Sequence, residues 1–205
     1  MTFVLGLTGS IGMGKSATVD LFRRLGVPVH DADATVHRLY RGRAAPLIDK
    51  SFPGTVTDGA VDRARLGAAV LGNPDRMKQL EAIVHPLVRE EEEAFLKRVS
   101  ALSPVAVLDI PLLFETGGET RCDAVLVVTA PASVQRARVM ARPGMTEEKF
   151  RAILAKQMRD ADKRARAHFL VDTSRGFLSA EAQVRSILAC LAGRPGRRSH
   201  FLMKS

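Results

Sequence analysis

The sequence predicts an α/β fold of three layers, a parallel sheet covered by helices on both faces. Three observations lead there. Short, unbroken apolar runs recur along the chain, amphipathic stretches of helical period separate them, and the first apolar run enters a glycine-rich loop that opens a helix. Strands buried on both faces read as continuous apolar runs, and alternation with helices joins them by right-handed crossovers.

The first strand is Phe3 to Thr8, followed by Gly9 to Ser16, GSIGMGKS, and by an amphipathic helix over Ala17 to Leu25. The octet fits G-x-x-x-x-G-K-[ST] without a mismatch. Gly9, Gly12 and Gly14 let the backbone bend until successive N–H groups point inward, and the helix beginning near Lys15 adds the positive end of its dipole. Such a nest suits a triphosphate: Lys15 reaches the terminal phosphates as a point charge, and the Ser16 hydroxyl suits Mg²⁺, which prefers a few hard oxygens plus water. Gly12 to Ala17 also satisfies G-x-G-x-x-A, and Asp33 follows about where the ribose-binding acid of a dinucleotide-binding oxidoreductase would sit. That site has no need of the Lys15-Ser16 pair, whereas a triphosphate site needs both.

Gly26 ends the helical period, and Val27 to His30 reads as a short strand running into Asp31-Ala32-Asp33. Two carboxylates thereby stand at a strand's C-terminal edge, where open parallel sheets bind ligands. Asp33 is the candidate to orient or deprotonate an acceptor hydroxyl, and Asp31 has the better claim to a structural role. From Ala34 to about Ala101 helical periods dominate, with breaks at Phe52-Pro53-Gly54, Asp58-Gly59 and Gly72-Asn73-Pro74, which predicts a helical insert. Within it Pro86 disfavours helix at His85 and can start a new one, so His85 and Arg89 are expected at a helix junction. Glu90 to Glu93 reads as a solvated helix face.

The next strand is Val105 to Ile110, with Asp109 near its carboxyl end as a candidate to hold Mg²⁺ through water. Another strand spans Ala124 to Thr129, and a helix spans Ala132 to Ala141. Arg138 and Arg142, four apart, are expected on one helix face ahead of the hinge-like Pro143-Gly144, an arrangement suited to a phosphate-clamping lid. A further helix runs from Thr146 to about Arg159, a last strand from His168 to Asp172 and a last helix from Ser179 to Ala192.

Of the 205 residues, 46% are hydrophobic and 26% charged, a composition that can bury a full core. No apolar run approaches a membrane span and no signal-type core opens the chain, which predicts a cytoplasmic protein with no membrane partner. Cys122 and Cys190 lack metal-ligand spacing and are expected to be small buried or half-buried residues. The net charge of +9 suggests polyanionic ligands. Aromatics make up 5% of the chain and do not interleave with the basic residues, which argues against a nucleic-acid stacking platform. Residues 193–205, with Arg194, Arg197, Arg198 and Lys204 and no acid, are expected to form a mobile basic tail.

Several blocks in order resemble the dephospho-CoA kinases: GLTGSIGMGKS at 6–16, LGVPVHDAD at 25–33, HPLVR at 85–89, DIPLLFE at 109–115, and Arg138 with Arg142 before Gly-Met-Thr-Glu-Glu. The resemblance runs from Phe3 to about Leu191. It implies a P-loop kinase fold with a parallel five-stranded core over 1–33, 102–137 and 160–192, a helical substrate domain over 34–101 and a lid over 138–159. It also implies ATP-dependent phosphorylation of the ribose 3′-hydroxyl of dephospho-CoA, with Mg²⁺. By that resemblance Gly9, Gly12, Met13, Gly14, Lys15, Ser16 and Ala17 bind ATP together with Arg138 and Arg142 of the lid. Asp33 acts as the catalytic carboxylate, with Lys15 and Arg142 beside it in the catalytic set. Thr8, Asp33, His85, Arg89, Leu112, Leu113, Phe114 and Glu115 belong to the acceptor side. The chain departs from the family at Ala167 to Arg175, AHFLVDTSR, where A-D-x-V-I-D-N-x-G is common. A GTPase would carry an N-K-x-D motif after a strand, and none is present. Without the later blocks, a kinase of another nucleotide-like molecule would fit equally well.

Overall fold

The computed structural model describes residues 1–196. It divides into two compact units, one of Met1–His30 with the chain from Arg98 on, the other of Asp31–Lys97.

The first unit is built on a five-stranded sheet of β1 (Phe3–Thr8), β2 (Val29–Asp31), β5 (Val105–Asp109), β6 (Ala124–Thr129) and β7 (Phe169–Asp172), in the order β2-β5-β1-β6-β7. β1 runs parallel to both β5 and β6, and β6 runs parallel to β7. β1 is buried along its whole length, with its two faces covered by different parts of the chain. Phe3, Leu5 and Leu7 pack with Val19, Leu21 and Phe22 of α1 (Lys15–Arg24) and with Val184, Ile187 and Leu191 of α9 (Phe177–Leu191). On the opposite face Gly6 leaves room for Leu113 and Cys122; a Cβ at Gly6 would stand 2.6 Å from the Cys122 sulfur. The remaining helices of this unit are α6 (Ala132–Met140), α7 (Glu147–Leu154) and α8 (Asp160–Ala165).

The second unit holds α2 (Ala32–Tyr40), α3 (Ala45–Ser51), α4 (Arg63–Val70) and α5 (Pro74–Val99), the last running on beyond it, around a separate core that includes Leu39, Ile48, Phe52, Leu66, Leu80 and Val84. It is not wholly helical. Val56–Thr57 and Ala60–Val61 pair as a small antiparallel hairpin, β3–β4, because Asp58 (φ 51°) and Gly59 (φ 74°) take the two left-handed positions of a tight hairpin turn.

Four expectations from the sequence need correction. His85 and Arg89 do not lie at a helix junction, since α5 is one helix of 26 residues with Pro86 inside it. Ala82, whose carbonyl Pro86 cannot serve, is exposed like Pro86 itself, so water can take that acceptor while Leu80, Val84 and Leu87 anchor the opposite face. Glu92 is only 4% exposed, so Glu90 to Glu93 is not simply a solvated face. The helix over Thr146 to Arg159 ends at Leu154, and α8 begins at Asp160. Cys190 is exposed, while Cys122 is buried as expected.

Of the basic tail, residues 197–205 lie outside the described residues. Gly196 is buried, and a Cβ there would collide with the Thr2 carbonyl oxygen. No helix among the described residues is long and apolar enough to cross a membrane.

Candidate active site

The glycine-rich loop leaves β1 at Thr8, whose fully buried hydroxyl donates to the Pro111 carbonyl at 2.9 Å. Gly9 lies against β6, where a Cβ would come within 2.8 Å of the Val128 carbonyl oxygen. Gly12 (φ 77°) and Gly14 (φ 91°) occupy the left-handed region, and each also faces a wall. A Cβ at Gly12 would stand 2.5 Å from Val139 Cγ2, and one at Gly14 would stand 2.9 Å from Thr173 Oγ1. Side chains there would add clash to about 1–3 kcal/mol of backbone strain. Gly14 is the N-cap of α1 and no side chain caps the helix, so its first N–H groups and the positive end of its dipole are available to an anion.

The loop is held by residues far away in sequence. Thr173, just past β7, donates its hydroxyl to the Met13 carbonyl at 2.8 Å, and Arg138 of α6 donates to Thr173 Oγ1 at 2.7 Å and to its carbonyl at 2.8 Å. The buried Met13 sulfur lies 3.1 Å from the Ala130 N–H. Gln157 Oε1 accepts from the Ile11 N–H at 3.1 Å, and Gln135 Nε2 donates to the Ile11 carbonyl at 2.7 Å. None of Gln135, Gln157 and Thr173 was singled out as a loop contact from the sequence. The hydrogen bonds that matter span more than a hundred residues in four of these pairings and carry no local signature.

At the end of β5, Lys15 Nζ lies 2.6 Å from Asp109 Oδ1, with the carboxylate buried. Ser16 and Ala17 are exposed in the first turn of α1. One hydroxyl and one carboxylate suit Mg²⁺, which keeps most of its waters and takes further oxygens from phosphate. Among the described residues no group of three or more His, Cys, Asp or Glu is placed to hold a metal by protein ligands alone.

The 112–115 segment divides by burial. Leu113 is fully buried beside Gly6 and Gly118, and Phe114 is buried with the Arg166 guanidinium 4.5 Å above its ring. Leu112 is exposed. Glu115 accepts from the Met158 N–H at 2.7 Å and sits 2.9 Å from the fully buried Lys163 Nζ. Burial alone would raise the Glu115 carboxyl's pKa, but the Lys163 ammonium and the Met158 N–H outweigh burial and hold it below the ordinary carboxylate value. Arg138 is half-buried and engaged with Thr173, whereas Arg142 is exposed in the turn after α6. The two arginines therefore do not share a helix face, because α6 ends at Met140.

In the second unit, Asp31 caps α2 by accepting from the Ala34 N–H at 2.8 Å, and Asp33 stands exposed in the first helical turn. Asp33 lines a cavity of about 400 Å³ whose lining also includes His37, Tyr40 and Arg63 and the apolar Leu66, Val70 and Leu80. Burial pushes the Tyr40 hydroxyl's pKa up against the opposing influence of Arg63. His85 and Arg89 are exposed one turn apart on α5.

The arrangement in the first unit is that of a phosphate-binding loop on a parallel sheet, and comparison with known proteins agrees. Residues 3–178 match the dephospho-CoA kinase family. A dephospho-CoA kinase of Mesorhizobium japonicum is 62% identical over 194 residues, covering 94% of this chain and 98% of the relative. One of Brucella melitensis is 56% identical over 193 residues, covering 94% and 96%. A crystal structure from Thermus thermophilus superposes with a TM-score of 0.83 at 38% identity, covering 95% of this chain and 99% of that one. This chain belongs to the dephospho-CoA kinase family.

Proposed function

We propose that this chain transfers the γ-phosphoryl group of ATP to the ribose 3′-hydroxyl of dephospho-CoA, giving CoA and ADP as the last step of CoA synthesis. The observation that carries the reading is the uncapped, left-handed entry to α1 with Lys15 beside it, in a chain 62% identical to a dephospho-CoA kinase. In this reading the N–H groups from Gly12 to Ala17 cradle the polyphosphate, and the Lys15 ammonium stands against the terminal phosphates. Asp109 holds that ammonium at the start of α1.

Ser16, with Asp109 acting through water, would hold Mg²⁺, which supplies neutralisation of the charge on the phosphate oxygens. Asp33 accepts the proton of the acceptor hydroxyl and keeps that oxygen in line for transfer. The family resemblance assigns His85 and Arg89 to the acceptor's polar groups, and the same resemblance is what assigns Leu112 and Glu115 to the acceptor side. Leu113 and Phe114 contribute by packing, as their burial dictates. Thr8 contributes by fixing Pro111. Arg142 belongs to a lid over 138–159 that excludes water, while Arg138 braces the loop through Thr173. A cytoplasmic location is consistent with use of ATP and a CoA precursor.

The test is ATP turnover against dephospho-CoA, adenosine, AMP and no acceptor. ADP release well above the no-acceptor rate is expected with dephospho-CoA, with a 3′-phosphorylated product by mass spectrometry. Equal turnover with adenosine or AMP would point to a kinase of a different nucleotide-like acceptor.

A further inference from the structure

Ile11 is gripped from two directions. Its N–H donates to Gln157 Oε1 at 3.1 Å, and its carbonyl accepts from Gln135 Nε2 at 2.7 Å. These two groups belong to the peptide planes on either side of one Cα, so the pair fixes both backbone dihedrals of Ile11 immediately before Gly12. The orientation of each amide is dictated by its partner: a backbone N–H can only meet the oxygen of Gln157, and a backbone carbonyl can only meet the nitrogen of Gln135.

The two glutamines stand on either side of one segment. Gln135 lies on α6 and Gln157 follows α7, so segment 141–156 lies between them, separated from Gln135 by the last turn of α6. The Gln157 end is itself fastened: the next residue, Met158, donates to Glu115, Glu115 is paired with the buried Lys163, and Asp160 Oδ2 accepts from Thr129 Oγ1 at 2.8 Å at the end of β6. A side chain serving only to fill space would not need this support.

We infer that Gln135 and Gln157 are positioning residues for ATP binding: they clamp Ile11 so that the loop from Gly12 onward is preset for the polyphosphate, and they tie both ends of segment 141–156 to it. The inference rests on the reading of Gly9 to Ala17 as the ATP site. The glutamines act through the loop backbone and contribute preorganisation.

Because one glutamine accepts and the other donates, the same isosteric substitution separates their roles. Gln157→Glu keeps an acceptor oxygen for the Ile11 N–H, whereas Gln135→Glu sets a carboxylate against the Ile11 carbonyl. Both add one negative charge beside the same residue, so charge cancels in the comparison. The Kd for ATP, measured by equilibrium titration with Mg²⁺, is expected to be about tenfold weaker in Gln135→Glu than in Gln157→Glu. The KM for dephospho-CoA should stay near the parent value in both. Equal Kd values in the two variants would overturn the clamp.

Should Gln135→Glu fail to fold, the neutral pair Gln135→Met and Gln157→Met carries the test. Each removes one hydrogen bond and should weaken ATP binding about threefold, and parental affinity in both would overturn the inference. Lys15→Ala, titrated alongside, separates the two levels. If it too binds ATP normally, the reading of the site has failed; if it alone loses ATP, only the clamp has failed.

Discussion

Lys15→Ala is expected to lower kcat/KM for phosphoryl transfer by about 10²–10³-fold, the range seen when a positioned charge-stabilising donor is removed. The ammonium sits 2.6 Å from Asp109 at the entrance of α1, where charge builds on the transferring phosphoryl group in this reading. Lys15→Arg keeps the charge but replaces a compact ammonium with a planar fork, so it should recover only part of the loss. Steady-state kinetics with thermal unfolding of each variant provide the check. A Lys15→Ala protein that folds normally and retains parental kcat/KM would remove Lys15 from the mechanism.

The second large effect is expected at Asp33. Asp33→Asn preserves shape and leaves the α2 cap untouched, since Asp31 makes that hydrogen bond. It should lower kcat by about 10²–10⁴-fold, the usual contribution of a positioned acid or base, with the KM for ATP little changed. Asp31→Asn is the informative partner: asparagine caps helices as well as aspartate, so its turnover should stay close to parental. A collapse of kcat in Asp31→Asn with normal turnover in Asp33→Asn would reverse the two assignments.

The course of the loop was legible because the residues that bend it are local, whereas the contacts that hold it come from Gln135, Gln157 and Thr173 far along the chain. Three glycines, a lysine and a hydroxyl within eight residues point to a sharply bent loop and an open helix start, and the structure has both, with Gly12 and Gly14 at positive φ. The runs of β1, β5 and β6 were legible because these strands are buried along their whole length and read as nearly unbroken apolar stretches.

What escaped were features decided at a distance. Pro86 reads locally as a helix start, yet Leu80, Val84 and Leu87 hold one long helix together and its missing hydrogen bond faces solvent. Asp58-Gly59 reads as a break and is a hairpin turn because Val56 and Val61 find each other as a pair. Nothing between Ala155 and Arg159 is a glycine or proline, so the division of α7 from α8 had no breaker to announce it. Thr173, in the stretch that departs from the family pattern, proved to be the residue that joins Met13 to Arg138.

The claim on which the account rests is that the amides from Gly12 to Ala17 receive the polyphosphate of ATP. Backbone amide NMR during titration with ATP and Mg²⁺ tests it directly. The account predicts saturable shifts of the Gly12, Gly14, Lys15 and Ser16 amides at the ATP concentrations that support turnover, and their loss in Lys15→Ala. Saturable binding that left those four amides unmoved while shifting others would contradict it.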